Sequence, residues 1–145
     1  MSYKLRFLSV FRELFVPHYY SLEFRAKILA AMLVAKKNLL ESDYDDVAEV
    51  AKDIYGDDKK RIHILVQTVK EYVSKATQGG ELNLDTLLKD IDYELKMTKR
   101  YVKKIDFAHL RRLMVSSDEI DAHFQQQVYE FFLNEVKIYS QIQSN

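Results

Sequence analysis

Residues 24–42 constrain this chain more than any other stretch. Apolar residues recur at Phe24, Ile28, Ala31, Met32, Ala35 and Leu39, the spacing of one helix face. Leu29, Leu33 and Leu40 widen that stripe, and alanines interrupt it where neighbouring helices can approach closely. A helix apolar on most of its sides has to be surrounded, so the pattern predicts a central helix in a bundle. With 145 residues, the chain is the size of one ordinary domain and long enough to bury a core without staples.

Around that stretch the remaining pattern is helical throughout. Leu5, Leu8, Phe11 and Phe15 mark a helix over residues 2–16 that ends before Pro17. Its aromatic, lightly basic character also suits a membrane-surface helix. We read it as a cover on the bundle core, since Arg6 and Arg12 against Glu13 give little polar asymmetry. Ser21 is the expected N-cap of the central helix, which then runs to about Leu40. Ser42 with Asp43 and Asp45 starts the next, carrying Val47, Val50, Ala51 and Ile54 and stopping at Gly56. Asp57 and Asp58 open a helix with the stripe Ile62, Leu65, Val66, Val69 and Tyr72, which the glycines at 79 and 80 break.

Asn83 caps a short helix with Leu84, Leu87, Leu88 and Ile91. A sixth is expected from about Met97 through Val102, Ile105, Leu110, Leu113 and Met114. A seventh, capped by Asp121, carries Phe124, Val128, Phe131, Phe132 and Tyr139. No segment alternates as a strand does, so the fold class is all-α: a single compact bundle of about seven helices. The domain reading is an added N-terminal helix over 1–20, the main helical domain over 21–140 and a frayed tail over 141–145.

Composition removes several functions. No cysteine means no disulfide, no thiolate metal site and no cysteine nucleophile. Twenty-two basic residues balance twenty-two acidic ones, so the surplus of positive charge typical of nucleic-acid binding is missing. The longest apolar run, 28–35, is far short of the roughly 18 residues that suggest a membrane span. The start carries no signal-peptide pattern, and the expected location is cytoplasmic. No nucleophile elbow or phosphate-binding glycine loop occurs, so the chain reads as no enzyme, with no cofactor.

Two stretches resemble each other at an offset of 80, residues 33–44 and 113–124. Each reads as a helix end, a polar turn, an apolar plug (Leu40 or Ile120), an acidic residue and the first turn of another helix. The plugs are expected to pack into the corners between helices, giving a pseudo-twofold pair. On this pattern residues 24–136 resemble the TerB-like family of bacterial tellurite-resistance operons, also found fused to J domains in DnaJ-like co-chaperones. The resemblance implies a metal held by corner aspartates and glutamates in an Ala-Asp-Gly motif. Here the aspartate positions are Lys37 and Ser117, the glycines Asn38 and Asp118, and the glutamates Tyr44 and Phe124. A hard cation needs several oxygen ligands, so the metal role does not transfer to those positions. Glu41 and Asp121 remain weak metal candidates, to be joined only if the two corners face each other.

Asp43, Asp45 and Asp46 lack the glycine and glutamate of a calcium loop and read as acids at a helix start. None of the histidines pairs with another at ligand spacing: His18, whose neighbourhood with Tyr19 and Tyr20 is a second candidate contact, then His63, His109 and His123. His63 is expected in solvent, and His109 partly buried with a satisfied hydrogen bond. The one basic concentration is Lys96, Lys99, Arg100, Lys103 and Lys104, with Arg111 and Arg112 beyond. On one helix the first five would share a flank. That flank suits a protein partner, anionic lipid or RNA, with Tyr101 available to stack, or else it is a solvated face opposite acids elsewhere. The expected function is a non-catalytic protein-interaction module in stress or chaperone biology. The alternatives are the N-terminal regulatory part of a J-domain co-chaperone, although no His-Pro-Asp tripeptide occurs, and a divalent-metal-binding protein of the tellurite-resistance type.

Overall fold

The computed structural model describes residues 19–78 and 82–144, with side chains as far as 141. The helix expected over 2–16 lies outside those residues. Everything described is helix or connection, with no strand, as the helical periodicity requires. In chain order the elements are α1 (Tyr20–Val34), α2 (Glu41–Tyr55), α3 (Lys59–Thr77), α4 (Leu84–Met97), a 3₁₀ helix (Lys99–Lys104), α5 (Phe107–Arg112) and α6 (Glu119–Ser144).

Helix α1 is the centre of the bundle. Leu22, Phe24 and every residue from Ala26 to Leu33 are buried, and α3, α4, α6 and the 3₁₀ helix pack around it. The price of that position is Lys27, fully buried among apolar neighbours. Its ammonium lies 2.7 Å from Asp90 of α4 and also pairs with Glu94 one turn further on. Tyr72 of α3 closes the same region, its hydroxyl donating to Glu23 at 3.1 Å. Burial first, then the carboxylates of Glu23, Glu94 and Asp90, push the Tyr72 hydroxyl well above its ordinary range. A buried ammonium is tolerable only when paired in this way.

Several helix signals act as the sequence predicts. Gly56 ends α2 at φ 62°, Asp58 caps α3 by accepting from the Arg61 amide at 3.1 Å, and Asn83 caps α4 by accepting from the Thr86 amide at 2.9 Å. Others shift. Helix α1 stops at Val34 rather than Leu40, and Ser21 lies inside it. The N-cap of α2 is Leu40, not Ser42, and the residue that caps α6 is Asp118, not Asp121. The helix expected over 97–114 is divided into the end of α4, the 3₁₀ helix and α5, because Tyr101, Val102 and Ile105 all turn inward within five residues.

The corner plugs are a clear correction. Leu40 is 54% exposed and Ile120 60% exposed. The helix starts explain why. Leu40 is the N-cap of α2 and Asp118 occupies the same place before α6, where its carboxylate accepts from the Asp121 amide at 2.8 Å. Counted from those caps, equivalent positions stand 78 apart, not 80, and six residues separate the helices at each corner. Asp43 therefore corresponds to Asp121, Val47 to Gln125 and Val50 to Val128, all buried. Ile120 falls in the outward-facing first turn of α6.

Polar groups fasten the corners instead. The Lys36 ammonium sits 2.7 and 2.9 Å from the two oxygens of Asp43, both side chains 1% exposed. Asp43 also accepts from the Leu40 amide at 2.8 Å. Asp121 reaches across to the other corner, accepting from the Lys37 and Asn38 amides at 2.8 and 3.2 Å. The Asn38 side chain donates to Asp118 at 3.0 Å. Gln125 donates to the carbonyls of Met32 and Leu113, satisfying backbone acceptors that helix ends leave open.

Candidate interaction surface

The 3₁₀ helix creates the one cationic edge of note. With three residues per turn, side chains three apart eclipse each other. Tyr101 and Val102 are buried, and the Tyr101 ring packs on Phe24 with centroids 4.9 Å apart. Anchoring that face inward leaves Arg100 and Lys103 stacked on the outer edge, both exposed. Lys96 joins them from the last turn of α4, also exposed.

The five predicted partner-binding residues are thus near one another in chain and space, but they do not form the α-helical flank expected. Lys99 turns back, its ammonium donating to the Lys96 carbonyl at 3.1 Å, and so finishes α4. Lys104 is half-buried at the edge of a pit lined by Arg25, Ile28, Leu29, Val50, Ile54 and Leu110. The pit is a cavity of about 10 Å³, room for about one water, so it offers no small-molecule site. Tyr101 is not available to stack on a base, being held against Phe24.

Cation density distinguishes this edge: Lys96, Lys99, Arg100, Lys103 and Lys104 fall within nine residues. Elsewhere some exposed cations meet carboxylates, as Lys52 meets Glu49 at 3.1 Å, Arg61 meets Asp58 at 2.9 Å and Lys89 meets Asp85 at 3.2 Å, whereas Lys37, Lys59 and Lys137 have none within 4.0 Å among the described residues. Among the described residues, none of Lys96, Lys99, Arg100, Lys103 or Lys104 has a carboxylate within 4.0 Å. Further along, Arg112 approaches Glu49 at 3.8 Å and Arg111 donates to the Tyr129 hydroxyl, so both belong to the packing of α5.

The other candidates serve the scaffold. His109 has 14% of its side chain exposed, with Nε2 2.6 Å from Asp53, and joins α5 to α2 as expected of a satisfied histidine. His63 is exposed, and His123 is exposed beside Gln127 and Phe124. His18 lies outside the described residues. Tyr20 is 52% exposed, while Tyr19 is half-buried under the Arg61 guanidinium. Glu41 is exposed at the start of α2, whereas both oxygens of Asp121 are engaged by backbone amides. Among the described residues no group of three or more His, Asp or Glu side chains is placed to hold a metal ion.

Sequence reasoning missed the buried polar residues. Lys27 had a signal, the last charge before an unbroken apolar run from Ile28 to Ala35, and so did Asp90, one turn along the stripe from Leu87. Glu135 and Asp92, which meet between α6 and α4, gave none, because each stands among the mixed residues at a stripe's margin. Among the described residues no helix is long and apolar enough to cross a membrane. Comparison with protein-family models, curated proteins and solved structures found no match to this chain.

Proposed function

We propose that this domain is a non-catalytic interaction module that binds an acidic partner protein through the edge formed by Lys96, Arg100 and Lys103, with Lys99 and Lys104 adding to its field. The observation that carries the reading is the clustering of five cations within nine residues, three of them exposed on one edge, with no carboxylate within 4.0 Å of any of the five among the described residues. Unopposed charge on a fixed edge speeds encounter with a complementary surface and sets its orientation. The balanced net charge argues against nucleic acid, and the buried Tyr101 removes the stacking platform such a site uses. The resemblance to TerB-like domains supports a place in cytoplasmic stress or chaperone biology.

The test is affinity capture from the native cell with mass spectrometry, comparing the natural chain with a Lys99→Glu, Arg100→Glu, Lys103→Glu variant. All three side chains are at the surface or its margin, so the variant is expected to keep its helical circular dichroism. Loss of an acidic protein that the natural chain captures is the expected result. Equal capture by a folded variant rejects this edge, and recovery of RNA in place of protein rejects the partner class.

A further inference from the structure

A cluster of acceptors between α4 and the C-terminal half of α6 has one proton too few. Glu135 is 5% exposed, and its Oε1 has no hydrogen-bond partner. Its carboxyl group meets that of Asp92 on α4. The hydroxyl of Tyr139, one turn along α6 from Glu135, donates to Asp92 Oδ1 at 2.7 Å. That hydroxyl has a single proton and has given it to Asp92. Two ionised carboxylates can only accept, so with both ionised no hydrogen bond joins Glu135 to Asp92.

Opposite charge does not resolve the conflict. Asp92 is the group that faces Glu135 from α4, and Tyr139 is the group on α6 itself. Helix α1 and the 3₁₀ helix also pack on α6, yet among the described residues neither supplies a hydrogen bond or ion pair to Glu135. The two buried ammonium groups among the described residues are engaged elsewhere, Lys27 with Asp90 and Glu94 and Lys36 with Asp43.

We propose that Asp92 and Glu135 hold one proton between them, and that this shared proton latches the C-terminal half of α6 onto α4. A buried carboxyl group in contact with a second carboxylate cannot ionise beside it without large repulsion, so one of the two retains its proton and becomes a donor. Burial first, then the hydrogen bond and charge of Asp92, raise the Glu135 carboxyl from 4.5 to about 8, in line with that geometry. The unfolded or opened segment releases the proton near 4.5. The latched state binds one more proton between those values, so latching is complete at low pH and weakens as pH rises toward 8. The inference is independent of the acidic partner proposed above, since none of its residues lies on the basic edge.

Two measurements on the whole chain test it. The side-chain carboxyl carbon of Glu135, followed by nuclear magnetic resonance, is expected to titrate with a midpoint near 8, and a midpoint near 4.5 overturns the proposal. Amide protection along 132–140 is expected to fall by up to about tenfold per pH unit between pH 5 and 8 and to level off above. Glu135→Gln, a neutral isostere able to donate to Asp92, is expected to flatten that profile. Superimposable profiles for the two proteins overturn the latch. If the variant does not fold, the titration of the natural chain decides alone.

Discussion

Replacing Lys36 by methionine distinguishes a corner held by charge from one held by an apolar wedge. The substitution keeps the aliphatic stem and removes the ammonium. Asp43, 1% exposed, then loses a partner at 2.7 Å from one oxygen and 2.9 Å from the other. Only the Leu40 amide still donates to it, at 2.8 Å to Oδ2. Removing one member of a buried ion pair costs about 3–5 kcal/mol, because the remaining charge stays desolvated. For a chain of this size that lowers the melting temperature by on the order of 10 °C. Adding Asp43→Asn keeps an acceptor for the Leu40 amide and removes the stranded charge, so the double variant should recover more than half of the loss. Leu40→Ala and Ile120→Ala, at side chains more than half exposed, should each cost about 1 kcal/mol or less. Thermal and urea unfolding of the four proteins provide the comparison. A Lys36→Met protein within about 1 kcal/mol of the natural one, beside a Leu40→Ala protein that loses several, would refute the charge-held corner and restore the wedge.

Gly56→Ala should destabilise by about 1–2 kcal/mol in thermal melts through backbone strain alone, since φ is 62° and an added Cβ meets nothing within 4 Å. The Asp118 carboxyl is held below its usual 3.8 first by the Asp121 amide and then by the Asn38 side chain. Its contribution is present above 3.8 and disappears as pH falls through the lower folded value, so Asp118→Asn should flatten the acid limb of the stability curve below about pH 4.

Helix identity was largely legible because it rests on local chemistry. The asparagine at 83, the aspartate at 58 and the glycine at 56 each satisfy or end a helix through bonds within a few residues, and each sits where the sequence places it. The burial of α1 was legible for a different reason: a helix apolar on nearly every side has no stable exposed position. The basic residues 96–104 were found by type but not by arrangement. Three inward anchors within five residues favour a tight 3₁₀ turn, and no composition or period announces which residues must turn inward.

The chain alone therefore determined an all-α domain, its central helix, the caps at Asp58 and Asn83, the stop at Gly56 and the residues of its cationic edge, because these depend on periodicity and short-range hydrogen bonds. Tertiary structure decided how the corners are held, which acidic residues are buried and which cations lack a carboxylate. Several of those contacts join atoms some 65 to 85 residues apart, as with Asp121 and Lys37 or Lys27 and Glu94, and even the Lys36–Asp43 pair, seven residues apart, needs the turn to fold back on itself. The alignment at offset 80 failed on that ground. It matched two apolar residues by their sequence neighbours, while the actual helix starts at Glu41 and Glu119 set the correspondence at 78 and left Leu40 and Ile120 more than half exposed.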